Sequence, residues 1–130
     1  MEVGKHQLHK QVPVRVTAFV DEGIAPIIQI LNDIDGICTF SSCEGIKGKE
    51  CAHVYFDFGQ YLPNHSLRLA KLATKLAKIL SANGLYDVDV LLEWTGDKDN
   101  PFIAIEFESQ YIKQIAKALS DHKKELICGT

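Results

Sequence analysis

Two segments decide the fold of this chain: Ile37-Cys-Thr-Phe-Ser-Ser-Cys43 and Cys51-Ala-His-Val-Tyr-Phe-Asp-Phe58. Both are rich in β-branched and aromatic residues, and the charged stretch 44–50 between them contains two glycines, as loops often do. We therefore predict two strands joined as a hairpin over residues 37–58. The first strand ends in two serines, a cysteine, an acid and a glycine. Packing does not require such an ending, so it indicates a site.

Strand and helix patterns alternate on both sides of this hairpin. Clustered or alternating β-branched and aromatic residues predict further strands at 14–20, 86–94 and 102–108. Apolar residues spaced three and four apart predict helices at 22–34, 64–82 and 109–126, the first of them capped by Asp21. The order β-α-β-β-α-β-β-α predicts an α+β two-layer sandwich, with a mostly antiparallel five-stranded sheet and three helices on one face.

Length and charge narrow the classes of function. The 130 residues contain no linker or repeat, so we assign residues 1–130 to a single domain, with residues 1–12 as a flexible arm. The net charge of −3 does not attract nucleic acid overall, so a nucleic-acid partner would need a local basic patch. No apolar run approaches the roughly 20 residues of a membrane span, and no membrane partner is expected. The chain starts without the apolar core of a signal peptide, so we expect a cytoplasmic protein with free thiols.

Strand alternation predicts which side chains leave the core. If Phe40 points toward the helices, then Thr39, Ser41 and Cys43 point the other way. On the second strand of the hairpin the same face would carry Cys51, His53, Tyr55 and Asp57. A regular hairpin can pair Cys43 with Cys51, Ser41 with His53, and Thr39 with Tyr55. This polar face is either a binding site or a surface kept polar for solubility.

The predicted site lies at the loop end of this face. The predicted ligand-binding residues share chemistry that can hold or polarise a small polar group: Ser41, Ser42, Cys43, Glu44, Gly45 and His53. Backbone N–H groups around Gly45 and the two serines are expected to form a nest for an anionic or carbonyl group. Glu44 is expected to accept a proton or bind an amine. If the site is catalytic, the candidates are Cys43, Glu44 and His53.

The sequence gives less support to zinc binding, a disulfide or phosphate binding. Cys43, Cys51 and His53 offer three zinc ligands, but the spacing is not that of a zinc motif, so we predict no metal. A strained disulfide between Cys43 and Cys51 is less favoured than two thiols. Lysines recur along the second and third predicted helices, and the second also carries Arg68. Such stripes could hold phosphates, but they are more often the solvated side of a helix.

Four motifs resemble a group of small bacterial and phage proteins without an assigned function. They are Phe19-Val-Asp-Glu-Gly-Ile-Ala-Pro26, Leu31-Asn-Asp-Ile-Asp-Gly-Ile37, Ser41-Ser-Cys-Glu-Gly45 and His53-Val-Tyr-Phe56. The segment 39–45 is also similar to a motif of the third tRNA wybutosine-synthesising enzyme family, through Ser41, Ser42, Cys43 and Gly45. That resemblance implies S-adenosylmethionine as cofactor and a modified guanosine in tRNA as substrate. The chain departs from that family at Glu44 and at Ile46, where the family tends to have arginine.

Two functional hypotheses follow. In the first, the protein binds a small polar ligand, or a nucleotide or RNA as an RNA-modifying protein would, at Ser41–Gly45 beside His53. In the second, it is a structural module that forms a homodimer through the sheet face without helices, with Phe19, Leu91, Phe102 and Ala104 as interface anchors.

Overall fold

The computed structural model describes residues 19–94 and 101–128, and for residues 127 and 128 it describes the backbone alone. The predicted arm, most of the predicted turn at 96–101 and all but two residues of the predicted strand 14–20 lie outside the described residues. Phe19 and Val20, the two that are described, are not in a strand.

The described residues form four α-helices and four strands. The helices are α1 (Ala25–Asp33), α2 (His65–Ala82), α3 (Ile112–Asp121) and α4 (Lys123–Cys128). The strands are β1 (Ile37–Cys43), β2 (Ala52–Phe58), β3 (Asp89–Trp94) and β4 (Pro101–Phe107). Single 3₁₀ turns precede α1 at Glu22–Ile24 and α3 at Ser109–Tyr111.

The strands form one antiparallel sheet in the order β1-β2-β4-β3. This confirms the α+β class and both predicted hairpins. The predicted number of elements differs, because the described ranges contain four strands rather than five and four α-helices rather than three.

Alternation along the strands separates the two faces of the sheet. On β2 the buried residues are Ala52, Val54, Phe56 and Phe58, and they face a core supplied by the helices. Helix α2 adds a stripe of leucines that includes Leu69, Leu72 and Leu76. Burial of each such side chain contributes about 2 kcal/mol, more than a typical helix cap does. Burial therefore stabilises α2, whose N-cap residue makes no side-chain hydrogen bond to the helix.

None of the helices in the described ranges combines the length and the apolar character that crossing a membrane requires. The longest of them, α2, carries Arg68 and three lysines on the side away from its leucine stripe.

The last predicted helix is divided in the structure. It breaks at His122, which has φ −115° and ψ 17°, so that α3 ends before it and α4 begins after it. At the break, the His122 ring lies 2.7 Å from the Glu125 carboxylate, and Lys75 donates a hydrogen bond to the Glu125 carbonyl. Residues 109–126 contain neither glycine nor proline, so the apolar spacing alone predicted one continuous helix.

A β-bulge at Phe40 sets the register of β1. Thr39 pairs with Phe56 and Ser41 with Tyr55, which leaves Phe40 as one extra residue on β1. The side chain of Asn32, in the last turn of α1, holds Thr39 beside the bulge. The Asn32 carbonyl accepts the Thr39 N–H at 3.0 Å, and its amide donates to the Thr39 hydroxyl at 2.9 Å. Helix α1 therefore fixes the point at which the strand slips.

Replacement of Asn32 tests this contact. We expect Asn32→Ala to lower the free energy of unfolding by about 1 kcal/mol, because both hydrogen bonds to Thr39 are lost. Alanine favours a helix more than asparagine does, so helix propensity works against this loss. Gln29→Ala, at an exposed position of the same helix, should change stability by less than about 0.5 kcal/mol. Equal urea midpoints for the two variants would show that the contact does not stabilise the fold.

Candidate functional site

The bulge changes which residues of β1 lie on the sheet face that carries no helix, called here the open face. The predicted orientation of Phe40 was wrong: its ring is 57% exposed and contacts the rings of Tyr55 and Phe102 on the open face. Thr39 was also placed wrongly, since it pairs with the buried Phe56 and bonds to Asn32 of α1. The predicted hairpin register is shifted too, because Cys43 pairs with His53 and Ser41 with Tyr55.

Four rings from three strands form a continuous cluster on the open face, called here the ring cluster: Phe40, His53, Tyr55 and Phe102. The His53 and Tyr55 rings are stacked, with centroids 4.4 Å apart and planes at 30°. Tyr55 and Phe102 are 5.1 Å apart, and Phe40 meets Phe102 edge-on at 5.2 Å. These separations are typical of attractive aromatic pairs, so the rings hold one another in place.

One predicted pair of site residues is brought together at the edge of the ring cluster. The Ser41 hydroxyl and His53 Nε2 are 3.3 Å apart and share a hydrogen bond whose direction depends on the tautomer of His53. This contact is diagonal across the hairpin, since each residue has a different partner in the strand register. A serine beside an imidazole can hold a polar group of a ligand that lies over the neighbouring rings.

Two other predicted site residues are separated from this pair. Ser42 pairs with the buried Val54, so its side chain leaves β1 on the helix side of the sheet. The Glu44 carboxylate lies against Gly23, where even a Cβ atom would come within 2.4 Å of Glu44 Oε2. Ser42 and Glu44 are therefore not on the ring-bearing part of the open face.

The loop after β1 uses its backbone donors internally. The Glu44 N–H donates to the Asp21 carboxylate at 3.0 Å, and the Ile46 N–H to the Glu50 carbonyl at 2.9 Å. These two N–H groups are thus unavailable to an anion in the predicted nest. Asp21 was also expected to cap the first helix, but its side chain makes no cap hydrogen bond there.

Cys43 is a poor nucleophile in this setting. The Gly45 N–H lowers the pKa of the Cys43 thiol, but a hydrogen bond to Glu50, burial and the charges of Glu50 and Asp21 outweigh it and raise that pKa above its ordinary value. The thiol donates to Glu50 Oε1 at 3.3 Å. A thiol with a raised pKa is protonated at neutral pH, and nucleophilic attack requires the thiolate.

Among the described residues, no arrangement of side chains indicates a metal site or a disulfide. No group of three His, Cys, Asp or Glu side chains there is placed to hold a metal ion. Cys38, Cys43 and Cys51 are free, and Cys51 precedes the first residue of β2. Two hollows lie on the helical side of the molecule, both lined by Lys75 and Lys78, and neither includes a predicted site residue.

A buried histidine outside the predicted site fixes the end of the hairpin. The Leu62 N–H donates to Nδ1 of His65 at 3.1 Å, so the ring proton is on Nε2, which lies 2.9 Å from Asp57. The ring is also stacked on Tyr61 at 5.0 Å. With both nitrogens used, His65 anchors the start of α2 to β2 rather than acting on a ligand.

The open face is acidic. The four strands contain no lysine or arginine, and three of their four acids are on this face: Asp89, Glu93 and Glu106. The carboxylate of the fourth, Asp57, is bonded to His65. In the register of the sheet, His53, Glu106 and Asp89 lie side by side across β2, β4 and β3, while Glu93 is beside Phe102. Burial raises the pKa of the Tyr55 hydroxyl first, and then the charges of Glu106 and Glu93 and a hydrogen bond to Glu106 raise it further.

Phe40, Phe102 and Glu106 were missing from the predicted ligand-binding residues. Strand alternation predicts both Phe102 and Glu106 on this face, Phe102 as an interface anchor, and the pairing of Val54 and Phe56 with Ile105 and Ile103 confirms that orientation. The position of Phe40 could not be predicted, because a bulge leaves no signal in the apolar pattern of a short strand.

No family model, curated protein or solved structure matches this chain. The resemblances in the segments 19–58 therefore stay predictions that depend on those motif residues alone.

Glycine at position 45 is required by space as well as by conformation. Gly45 has φ +72°, and a Cβ atom there would lie 2.6 Å from the Glu50 carbonyl oxygen and 2.7 Å from the Ala52 nitrogen. Because both contacts are to backbone, we expect Gly45→Ala to cost about 3 kcal/mol of unfolding free energy. Urea denaturation measures the loss.

Gly48→Ala is the matched control in the same loop. Gly48 has φ +76°, but a Cβ atom there would meet nothing within 4 Å. Gly48→Ala should therefore lower the free energy of unfolding by the conformational penalty alone, about 1 kcal/mol. If the two alanine variants unfold at the same urea concentration, the backbone of Glu50 and Ala52 does not lie as close to Gly45 as described.

The pKa of Cys43 can be measured by alkylation in a variant whose other three cysteines are serine. The pH midpoint of the reaction should lie above that of an ordinary thiol, and Glu50→Gln should move it to lower pH by removing the negative charge beside the thiol. Glu44→Gln removes a nearby charge that does not act on Cys43 and should leave the midpoint in place. A midpoint below that of a free cysteine would restore Cys43 as a candidate nucleophile.

Proposed function

We propose that this protein binds a small polar ligand with a flat ring on the open face of its sheet. The main observation in support of this proposal is that the ring cluster lies next to the Ser41–His53 hydrogen bond. In this proposal the ligand's ring lies on His53 and Tyr55, and a polar group of the ligand contacts Ser41. This narrows the predicted site, which keeps Ser41, Cys43 and His53 and moves away from Ser42, Glu44 and the loop.

The chemistry at the site favours binding over covalent catalysis. The Cys43 thiol is held protonated by its surroundings, as its raised pKa indicates. Ser41 is 3.3 Å from His53, but the loop N–H groups that would stabilise an oxyanion are bonded within the chain. Stacking on exposed aromatic rings, by contrast, contributes about 1–3 kcal/mol per base in proteins that bind nucleotides.

Nucleosides fit this proposal better than RNA does. A nucleoside or S-adenosylmethionine has a flat base for the rings and hydroxyl groups for Ser41. An RNA strand would bring phosphates close to three carboxylates, on strands that carry no basic residue to neutralise them. The lysines of α2 lie on the helical side and do not offset this repulsion at the open face.

NMR titration with adenosine, guanosine and S-adenosylmethionine tests the proposal. We expect at least one of them to shift the amide signals of Ser41, His53 and Tyr55, and the shifts to weaken in Phe40→Ala. Phe40 is exposed, so this variant should fold normally. Tyr86→Ala, at an exposed aromatic residue away from the ring cluster, should bind as the parent does. If none of the three ligands perturbs the open face, the proposal is wrong.

A second candidate function is homodimer formation through the open face. It is favoured by Phe40 and by Leu91, which is 37% exposed on the same face, while Phe19 is fully exposed at the start of the described residues. Ala104, expected as an interface anchor, is completely buried and cannot contact a partner. The carboxylates of Asp89, Glu93 and Glu106 oppose this dimer, because a two-fold contact would bring them together.

Light scattering separates the two functions. We expect a monomer at tens of micromolar, for the parent chain and Phe40→Ala alike. A dimer that dissociates in Phe40→Ala would instead assign the ring cluster to an interface between copies of this chain.

A further inference from the structure

We propose that the ligand of the open face is a cation, either a positively charged planar ring or a quaternary ammonium group. This rests on the proposed function and names the class of ligand. The observation behind it is that exposed aromatic rings and carboxylates occupy the same face of the sheet.

The aromatic rings are one source of the preference for a cation. A tyrosine or phenylalanine ring has a negative face, and a cation within about 6 Å of its centroid is attracted to it, so Tyr55 and Phe102 supply this attraction. The centroids of His53, Tyr55 and Phe102 follow one another at 4.4 Å and 5.1 Å across β2 and β4. A ligand over the middle of this row is close to more than one ring, and a neutral ring in the same place gains stacking but not this attraction.

The carboxylates on the same face are the second source of the preference for a cation. Glu106 lies beside His53 in the strand register, and Glu93 lies beside Phe102, so the ring row has an acid next to each end. Asp89 extends the same row beyond Glu106. The charges of Glu106 and Glu93 both act on the Tyr55 hydroxyl, so their negative potential reaches the ring cluster.

Charge complementarity selects the occupant of this face. On this face the strands carry three acids and no lysine or arginine. Basic residues of the described chain lie instead in the helices and in the loop at 47–49. An anion is repelled, and a neutral ligand gains nothing from the acids. A cation is attracted by both the rings and the acids, and salt should weaken its binding because the acids are on the surface.

Two probes of nearly the same size test the charge: nicotinamide, which is neutral, and 1-methylnicotinamide, which is a cation. In NMR titrations of the full chain at low salt, we expect the cation to bind about five-fold or more tightly than the neutral probe. The shifts should map to His53, Tyr55 and Phe102. In Glu93→Gln/Glu106→Gln, the cation should bind only as tightly as nicotinamide. Asp35→Asn, which removes an exposed charge in the turn before β1, should change neither affinity.

The outcomes distinguish the charge preference from the proposed function. If both probes bind equally to the ring cluster, and the double glutamine variant has no effect, the ligand is not a cation while binding at the open face stands. If neither probe shifts the open face up to about 10 mM while a nucleoside does, the cation proposal fails and the proposed function stands. If neither the probes nor the nucleosides shift it, both proposals fail. Tetramethylammonium binding with the same dependence on Glu93 and Glu106 would extend the preference to ammonium groups, and its failure to bind would restrict the preference to planar cations.

Discussion

The hydrogen bonds between Asn32 and Thr39 are the constraint on which the open face depends. They join the last turn of α1 to β1 just before the bulge, with distances of 2.9 Å and 3.0 Å. A strand without the bulge would place the neighbouring residues Phe40 and Ser41 on opposite faces of the sheet. With the bulge, Phe40 reaches the rings of Tyr55 and Phe102, and Ser41 comes within 3.3 Å of His53. One extra residue in β1 therefore builds much of the candidate site.

The sequence predicted elements well and their register badly. Strand β1 was predicted with the bounds it has, and α2 within one residue, because both have strong apolar patterns and clear glycine or asparagine ends. The bulge and the break at His122 were missed, since each depends on tertiary contacts: Asn32 with Thr39, and Lys75 with Glu125. Every predicted hairpin pair moved as well: Cys43 and Ser41 pair two residues further along β2 than predicted, and Thr39 one residue further.

The alternation of strand side chains also explains why only part of the candidate site was predicted correctly. Ser41, Cys43 and His53 are on the open face as predicted, since the bulge restores their orientation after Phe40. Ser42 and Glu44 were included because they are adjacent in sequence, but adjacent strand residues face opposite sides. The chemistry differs as well: Glu50 and Asp21 keep Cys43 protonated, and the loop donors are already used. What remains is an acidic, ring-bearing surface suited to binding.

The orientation of Phe40 tests this central claim most directly. In a NOESY spectrum with assigned aromatic signals, the ring protons of Phe40 should show cross-peaks to the ring protons of Phe102 and Tyr55, whose centroids lie 5.2 Å and 6.3 Å away. Cross-peaks from Phe40 to the buried methyl groups of Ile28 or Leu31 in α1 would contradict it. They would show that Phe40 belongs to the core and that the ring cluster does not form.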